Sequence, residues 1–208
     1  MANRPRFYDI LWLPLARAFA FLFFGLLGPY RVRGAYRVPR EGAVLILPNH
    51  IADLDPPFVQ FACPRPVHFM AKSELFEMKV IGPLIRFFGA FPVKRGEPDR
   101  TSIRHAVELL KSGEAVGVFP EGQLSEDGEL QEMKSGVALI IRMARCPVIC
   151  CGIKGTDKIL PYGKVLPRPA FSTIEAVWGE PREFEKGATT EEILEWVRGQ
   201  LAELTGKL

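Results

Sequence analysis

The sequence predicts a single α/β domain in which a mostly parallel or mixed sheet is covered by helices. Its length of 208 residues suits one domain. Short runs of β-type residues alternate with helical patterns along the chain. Three of the strand candidates are apolar throughout: VLIL at 44–47, AVGVF at 115–119 and VICCGI at 148–153. Strands of that kind are typical of a sheet buried on both faces.

The elements are predicted from hydrophobic period and from cap residues. Strands are expected at 44–47, 67–70, 91–93, 115–119, 148–153 and 171–178. Helices are expected at 57–62, 81–88, 101–111, 137–145 and 190–204. Asp99 is available to cap the helix at 101–111. The last helix opens with a capping-box pattern, Thr189-x-x-Glu192.

An apolar run of 18 residues, 10–27, lies near the start of the chain and is interrupted only by Pro14 and Arg17. A membrane-spanning helix needs about 20 apolar residues, and a central arginine costs about 2.5–3.5 kcal/mol on insertion. No small-residue cleavage site of a signal peptide follows the run. A clean crossing of the membrane and a cleaved leader are therefore both disfavoured.

We expect residues 1–30 to form a helix that lies in the membrane interface. Its phenylalanines would enter the acyl boundary, and the flanking arginines would contact anionic headgroups. Before residue 41 the chain carries one acidic residue, Asp9, against seven basic ones: Arg4, Arg6, Arg17, Arg31, Arg33, Arg37 and Arg40. The alternative is an ordinary buried N-terminal helix.

Composition and missing motifs exclude several classes of function. The net charge of +3 is too small to indicate nucleic acid as a partner. The four cysteines lack CxxC spacing, so neither zinc nor redox chemistry is indicated, and they fit the core of a protein in a reducing compartment. The chain has no GxGxxG, HExxH or GxSxG pattern, and 117–122 is followed by Gln123-Leu124 where a phosphate loop needs Lys-Ser/Thr. We expect neither a cofactor nor a metal.

One of the three histidines, His50, directly follows a buried strand in LPNHIADLDPP. Sites in open α/β sheets form at the carboxyl ends of strands. Pro56 and Pro57 disfavour helix for the residues before them, so we expect the helix to begin near Pro57 with Asp55 extended outside it. Asp55 would then fold back to orient the imidazole of His50. The alternative is a turn capped by aspartate beside a polar histidine.

The motif Asn49-His50-x-x-x-x-Asp55 is the first of several sequence blocks that occur in the same order as in a known family. Three further blocks follow it: AKSELF with GAFPVKRG at 71–76 and 89–96, FPEG at 119–122, and CPVI at 146–149. Together they resemble the four motifs of the glycerolipid acyltransferase family of 1-acylglycerol-3-phosphate acyltransferases. The resemblance covers about residues 44–160.

The resemblance implies that residues 31–208 form a catalytic domain that transfers a fatty acyl group from acyl-CoA or acyl carrier protein to the 2-hydroxyl of 1-acylglycerol-3-phosphate. His50 would be the general base and Asp55 its partner, with no acyl-enzyme. The family's other blocks assign substrate binding to Lys72, Lys94, Arg95, Glu121 and Gly122. Glu121 would contact the glycerol part or organise the site. The enzyme would be peripheral or monotopic at the cytoplasmic face of the cell membrane.

The third block departs from the family pattern, because Gln123-Leu124-Ser125 stands where Thr-Arg-Ser is usual. An arginine on the phosphate side is thus missing, and another lysophospholipid such as lysophosphatidylethanolamine, or an amine-bearing lipid, is an alternative acceptor. A non-catalytic lipid-binding protein and a hydrolase that uses the same residues remain further alternatives.

Overall fold

The structure is a computed structural model that describes residues 18, 20–93 and 99–207. The strands of this part are β1 (Tyr30–Arg33), β2 (Val44–Pro48), β3 (His68–Lys72), β4 (Phe91–Val93), β5 (Ala115–Gly117), β6 (Val148–Lys154) and β7 (Ile174–Trp178). Its helices are α1 (20–27), α2 (Asp55–Ala62), α3 (Ile81–Phe87), α4 (Arg100–Lys111), α5 (Ser135–Ala144), α6 (Thr156–Ile159) and α7 (Thr190–Thr205). Two short 3-10 helices lie at Ala35–Arg37 and Ser73–Glu77.

The strands form one sheet in the order β1-β7-β6-β2-β5-β3-β4. Five neighbouring strands, β6 to β4, run parallel, whereas β7 is antiparallel to β6 and β1 is parallel to β7. The predicted α/β class with a mixed, mostly parallel sheet is confirmed. The carboxyl ends of the five parallel strands and the amino ends of β1 and β7 therefore meet at one edge, which we call the site edge.

Both faces of the sheet are buried, because alternate side chains of the central strands enter two separate cores. In β2, Val44 and Ile46 belong to one core and Leu45 and Leu47 to the other. The first core also contains α2 residues and the buried face of α1, and the second contains those of α4, α5 and α7. The apolar run VLIL thus reflects burial on both sides.

Strand β1 was missed by the sequence prediction. It is short, and Tyr30 is its one residue that is not exposed. Its two arginines form ion pairs with Glu175 on β7, at 3.9 Å for Arg31 and 3.4 Å for Arg33. An exposed edge strand that alternates arginine with apolar residues lacks the hydrophobic run that identified the central strands.

Helix α1 presents two different faces. Phe24 is only 1% exposed, and its ring packs against Phe58 on α2 with ring centroids 5.0 Å apart. Phe21, Leu22 and Leu26 are exposed. The expected helix over 1–30 falls mostly outside the described residues. No helix within the described part of the chain is both long enough and apolar enough to cross a membrane.

The predicted caps form. Asp99 accepts the N–H of Ser102 at 3.0 Å, which caps α4. Thr189 accepts the N–H of Glu192 at 3.1 Å, which caps α7. The carboxylate of Glu192 pairs with Arg182 at 3.2 Å. The capping box is therefore half formed: the hydroxyl of Thr189 caps the helix, and the side chain of Glu192 pairs with Arg182 instead of the N–H of Thr189.

All four cysteines are buried in the core. Burial raises the pKa of Cys146 to about 11 and holds the pKa of Cys150 and Cys151 well above the ordinary value. The interpretation of these residues as small core side chains is confirmed. The thiols of Cys146, Cys150 and Cys151 therefore stay protonated at neutral pH.

Candidate active site

His50 lies at the site edge, two residues after the end of β2 and between the ends of β5 and β6. The side chain of its neighbour Asn49 pins this turn to β6. Asn49 donates from Nδ2 to the carbonyl oxygen of Ile153 at 3.0 Å and accepts the N–H of Ile153 at 2.6 Å. The buried amide is thereby satisfied on both sides, and it fixes where the histidine leaves the sheet.

The imidazole of His50 contacts the carboxylate of Asp55. Nδ1 of His50 lies 3.0 Å from Oδ2 of Asp55, and both side chains are buried. The same oxygen accepts the N–H groups of Ile51 at 2.6 Å and Ala52 at 2.8 Å. Three donors thus converge on Oδ2, and the five-residue spacing of the motif closes into a tight turn around it.

The expectation that Asp55 stands outside the helix in an extended conformation is wrong. Helix α2 begins at Asp55, with Pro56 and Pro57 in its first turn and Leu54 as the N-cap. Proline costs nothing at these positions because a first-turn N–H has no partner within the helix. The carboxylate folds back over residues 51 and 52, which overcomes the weak preference against helix before a proline.

The contact with Asp55 determines which histidine nitrogen carries the proton. An ionised carboxylate only accepts, so Nδ1 is the donor of this hydrogen bond, and in a neutral imidazole Nε2 is then the acceptor nitrogen. Among residues 18, 20–93 and 99–207 the structure gives Nε2 no hydrogen-bond partner. The ring of Phe119 stacks on the imidazole, with centroids 4.0 Å apart and an angle of 24°. This tautomer and orientation are those that base chemistry at Nε2 requires.

A hydroxyl group holds the other oxygen of Asp55. Thr156, the first residue of α6, donates from Oγ1 to Oδ1 of Asp55 at 2.5 Å. Thr156 is completely buried and lies two residues after the end of β6. The carboxylate is therefore held by its own turn on one side and by the next strand's loop on the other.

Glu121 joins the β5 loop to the histidine turn. Oε1 of Glu121 accepts the N–H of His50 at 2.9 Å, and Oε2 accepts the N–H of Gln131 at 2.8 Å. Burial raises the pKa of the Glu121 carboxyl, and the two N–H donors oppose that rise. Both carboxylate oxygens are thus engaged by backbone, a geometry suited to organising the site.

The FPEG segment forms a turn that positions Glu121. The N–H of Gly122 donates to the carbonyl oxygen of Phe119 at 3.1 Å, with Pro120 second and Gly122 last, as a type I turn favours. Gly122 has φ 70°, a conformation open chiefly to glycine. Three residues on, buried Ser125 donates its N–H to the carbonyl oxygen of His50 at 2.9 Å.

The predicted basic residues stand apart from this cluster. Lys72 ends β3 at the site edge, where its half-exposed ammonium pairs with Glu74 at 3.3 Å, and the structure shows it no hydrogen bond to His50, Asp55 or Glu121. Lys94 and Arg95 lie outside the described residues, directly after the end of β4. The register pairs Lys72 with Val93, so the end of β4 lies beside Lys72.

Sequence reasoning missed three residues of the cluster: Phe119, Gln131 and Thr156. Gln131 contributes its backbone N–H, for which no side-chain pattern exists. Thr156 is 101 positions from Asp55 in the chain, and one weak sign of it was its place just after the predicted strand 148–153. Phe119 belongs to the FPEG block, but its contact with the histidine ring required the fold.

Fold and site together define the class. An α/β sheet carries, at the carboxyl ends of its central strands, a buried histidine oriented by a carboxylate and stacked on an aromatic ring. Such a pair suits removal of a proton from a hydroxyl group. The described residues contain no group of three or more His, Cys, Asp or Glu side chains arranged to hold a metal ion.

The chain belongs to the acyltransferase family, whose model matches residues 29–154. Among similar proteins is the 1-acyl-sn-glycerol-3-phosphate acyltransferase of Bacillus subtilis (strain 168), 42% identical over 93 residues that cover 44% of this chain and 45% of that protein. The enzyme of the same name from Streptococcus pneumoniae is 35% identical over 111 residues, 52% of this chain and 40% of that protein. The chain spans less than half the length of these relatives.

The fold is also that of a solved structure. The crystal structure of the 1-acyl-sn-glycerophosphate (LPA) acyltransferase PlsC from Thermotoga maritima superposes with a TM-score of 0.84 at 24% identity. The match covers 100% of this chain and 83% of that one.

Proposed function

We propose that this protein is an acyltransferase that moves a fatty acyl group from an acyl thioester to the 2-hydroxyl of 1-acylglycerol-3-phosphate, giving phosphatidate. The observation that carries the proposal is the buried His50–Asp55 pair, whose Nδ1···Oδ2 distance is 3.0 Å. Family membership and the names of the relatives supply the reaction class.

In this mechanism Nε2 of His50 takes the proton of the acceptor hydroxyl as its oxygen attacks the thioester carbonyl. The carbon–sulfur bond then breaks, and the thiolate leaves with the proton from the imidazolium. An alcohol is a weak nucleophile at neutral pH, so a base of imidazole strength is needed, whereas a thiolate needs little help to depart. Asp55 holds the imidazole in the basic tautomer and stabilises its charged form.

Glu121 acts in this proposal as a positioning residue. Its carboxylate holds the backbone of His50 at 2.9 Å and that of Gln131 at 2.8 Å, which supports the second of its two expected roles over direct contact with glycerol. Lys72, Lys94 and Arg95 would bind the acceptor's phosphate. Arginine is suited to that task by its two parallel donors.

The acceptor headgroup is the open part of the proposal. Leu124 is half-buried in the segment between Glu121 and Ser125, at the position where the family's third motif usually has arginine. One charge fewer for the phosphate favours, as a second candidate, an acceptor with a larger or amine-bearing headgroup such as lysophosphatidylethanolamine. The donor, acyl-CoA or acyl carrier protein, is proposed from the family resemblance alone.

The test is thiol release from palmitoyl-CoA by detergent-purified protein, with lysophosphatidate, with lysophosphatidylethanolamine or with no acceptor, followed by analysis of the lipid product. We expect release that requires lysophosphatidate and yields phosphatidate. Release with the ethanolamine lipid alone would select the second candidate, and Leu124→Arg should then move the preference toward lysophosphatidate. Release without any acceptor would indicate hydrolysis. No release from either palmitoyl-CoA or palmitoyl-acyl carrier protein would contradict the proposal.

We further propose that the protein works at the cytoplasmic face of the membrane, as a peripheral or monotopic protein, with the segment 1–30 in the interface. The exposed apolar face of α1 supports this location, since Phe21, Leu22 and Leu26 lie outside the core.

A further inference from the structure

The segment 160–173 between α6 and β7 exposes apolar side chains although it is ordered by its own hydrogen bonds. Val165 is 88% exposed, Leu166 is 82% exposed and Phe171 is fully exposed. The N–H of Lys164 donates to the carbonyl oxygen of Pro161 at 3.0 Å, around Gly163 at φ 71°. The N–H of Arg168 donates to the carbonyl oxygen of Ile159 at 2.9 Å, which closes the base of the loop. The fold thus fixes an apolar tip in solvent.

This apolar loop, as we call 160–173, is attached to the C-terminal end of α1. The N–H of Ala170 donates to the carbonyl oxygen of Leu27 at 2.6 Å, and the N–H of Ile174 donates to that of Pro29 at 2.9 Å. The loop therefore adjoins the end of α1 at which Leu26 is exposed. Exposed apolar patches of this kind mark sites of interaction.

The charged side chains of the loop itself are basic. Residues 160–173 include Lys164 and Arg168 and no aspartate or glutamate, whereas Asp157 and Lys158 precede the loop on α6. Lys164 directly precedes Val165, Arg168 follows Leu166 by two residues, and both basic side chains are exposed. Tyr162, three residues before Val165, lies near the carboxylates of Glu126 and Asp53, which raise the pKa of its hydroxyl. Acidic groups therefore lie on the Tyr162 side of the loop.

The apolar loop and the histidine turn share the site edge. β7 is antiparallel to β6, so the loop enters β7 at the edge where β2, β5 and β6 end. The register pairs Tyr30 with Ile174 and Lys154 with Glu175, which brings the end of α1 to the same edge. A lipid surface that contacted the apolar loop and the end of α1 would therefore lie at the same edge of the sheet as His50.

We propose that the apolar loop is a second membrane-contacting element, which inserts Val165, Leu166 and Phe171 below the headgroups of an anionic lipid surface while Lys164 and Arg168 contact the phosphates. Apolar side chains framed by cations match the layers of such a surface. We choose lipid over a protein partner because the loop continues the proposed interfacial helix, and to that extent the choice depends on the proposed function. The arrangement would place the histidine turn against the layer that holds a lysophospholipid.

Insertion is measured with an environment-sensitive dye on Leu166→Cys, since the four native cysteines are buried. The matched control is Tyr36→Cys. Tyr36 has the same exposure of 82% and follows the carboxyl end of β1, at the opposite edge of the sheet. On vesicles of phosphatidylglycerol and phosphatidylcholine we expect the dye at 166 to brighten several-fold and to be quenched by nitroxide on the lipid acyl chains. The dye at 36 should stay as it is in water.

The charge arm compares Lys164→Gln with Lys111→Gln, at the far end of α4. We expect the first to weaken partition onto phosphatidylglycerol vesicles about fivefold, because a basic side chain near an anionic surface contributes about that factor, and the second to leave it unchanged. A dye at 166 that stays water-exposed on vesicle-bound protein would overturn the proposal. A spectral change that needs no lipid and follows protein concentration would assign the surface to a second copy and overturn it too. Acyl transfer in detergent, measured in parallel, shows separately whether the proposed function holds.

Discussion

The hydroxyl of Thr156 lies 2.5 Å from Oδ1 of Asp55, while Oδ2 of the same carboxylate lies 3.0 Å from Nδ1 of His50. Each oxygen of Asp55 therefore has its own task. One orients the histidine, and the other is tied to the end of β6. The position of the imidazole depends in this way on two strands that are neighbours in the sheet but about a hundred residues apart in the chain.

We predict that Thr156→Val lowers the rate of acyl transfer about tenfold, because a buried carboxylate oxygen loses its donor and the carboxylate no longer holds one position. The effect should fall on kcat, with little change in KM. Thr156→Ser, which keeps the hydroxyl, should restore most of the rate. Equal losses in both variants would show that the methyl group matters and would contradict a positioning role.

Asp55→Asn should reduce kcat by about a hundredfold or more, since an amide supports the wrong imidazole tautomer and does not stabilise the charged ring. The double variant His50→Ala/Asp55→Asn should be no worse than His50→Ala alone, because the two residues act as one unit. Steady-state rates of the three variants test this. Losses that multiply in the double variant would mean that Asp55 works independently of His50.

The carboxyl of Glu121 should make stability depend on pH with a definite sign. Burial raises its pKa above 4.5, so the native state binds the proton more tightly than the unfolded state does. Its contribution to stability is complete below pH 4.5 and is lost as pH rises through the native pKa. The free energy of unfolding of the wild type relative to Glu121→Gln should therefore fall over that range and then level off.

Urea unfolding at a series of pH values checks this prediction for Glu121. Glu195→Gln, on the exposed face of α7, controls for the loss of one carboxylate. A wild type that gains stability relative to Glu121→Gln as pH rises from 4.5 would contradict the assignment.

The cysteines should be inert in the folded protein. With the pKa of Cys146 at about 11, about one thiol in a thousand is ionised at pH 8, and all four side chains are also shielded from solvent. We expect no reaction with an aromatic disulfide reagent under native conditions and four thiols per chain in denaturant. A rapid reaction of one thiol in the native protein would show that a cysteine is reachable from solvent.

The parts of the fold that the sequence predicted are those governed by local pattern. The double-sided apolar runs identified β2, β5 and β6, and side-chain oxygens identified the caps of α4 and α7. Strand β1 escaped because its pairing with β7 is an edge contact between distant segments. The sequence of a strand alone does not show which distant strand pairs with it.

The site divides in the same way. His50, Asp55 and Glu121 were found through motif spacing, and the geometry places them in one hydrogen-bonded cluster. The start of α2 at Asp55 departs from the prediction because the hydrogen bonds of its carboxylate to residues 51 and 52 outweigh the weak preference against helix before proline. Thr156 and Phe119 required the tertiary fold, since neither contact follows from distance along the chain.

The central claim is that His50 is the general base, and the most direct measurement compares phosphatidate formation by wild type, His50→Ala and His105→Ala. His105 is a half-exposed histidine on α4, on an element that contributes nothing to the cluster at His50. Thermal unfolding of each variant controls for folding. We predict a loss of about a thousandfold or more in His50→Ala, the range for removal of a catalytic base, and wild-type rates in His105→Ala. A folded His50→Ala protein that keeps a rate within about tenfold of wild type would contradict the claim.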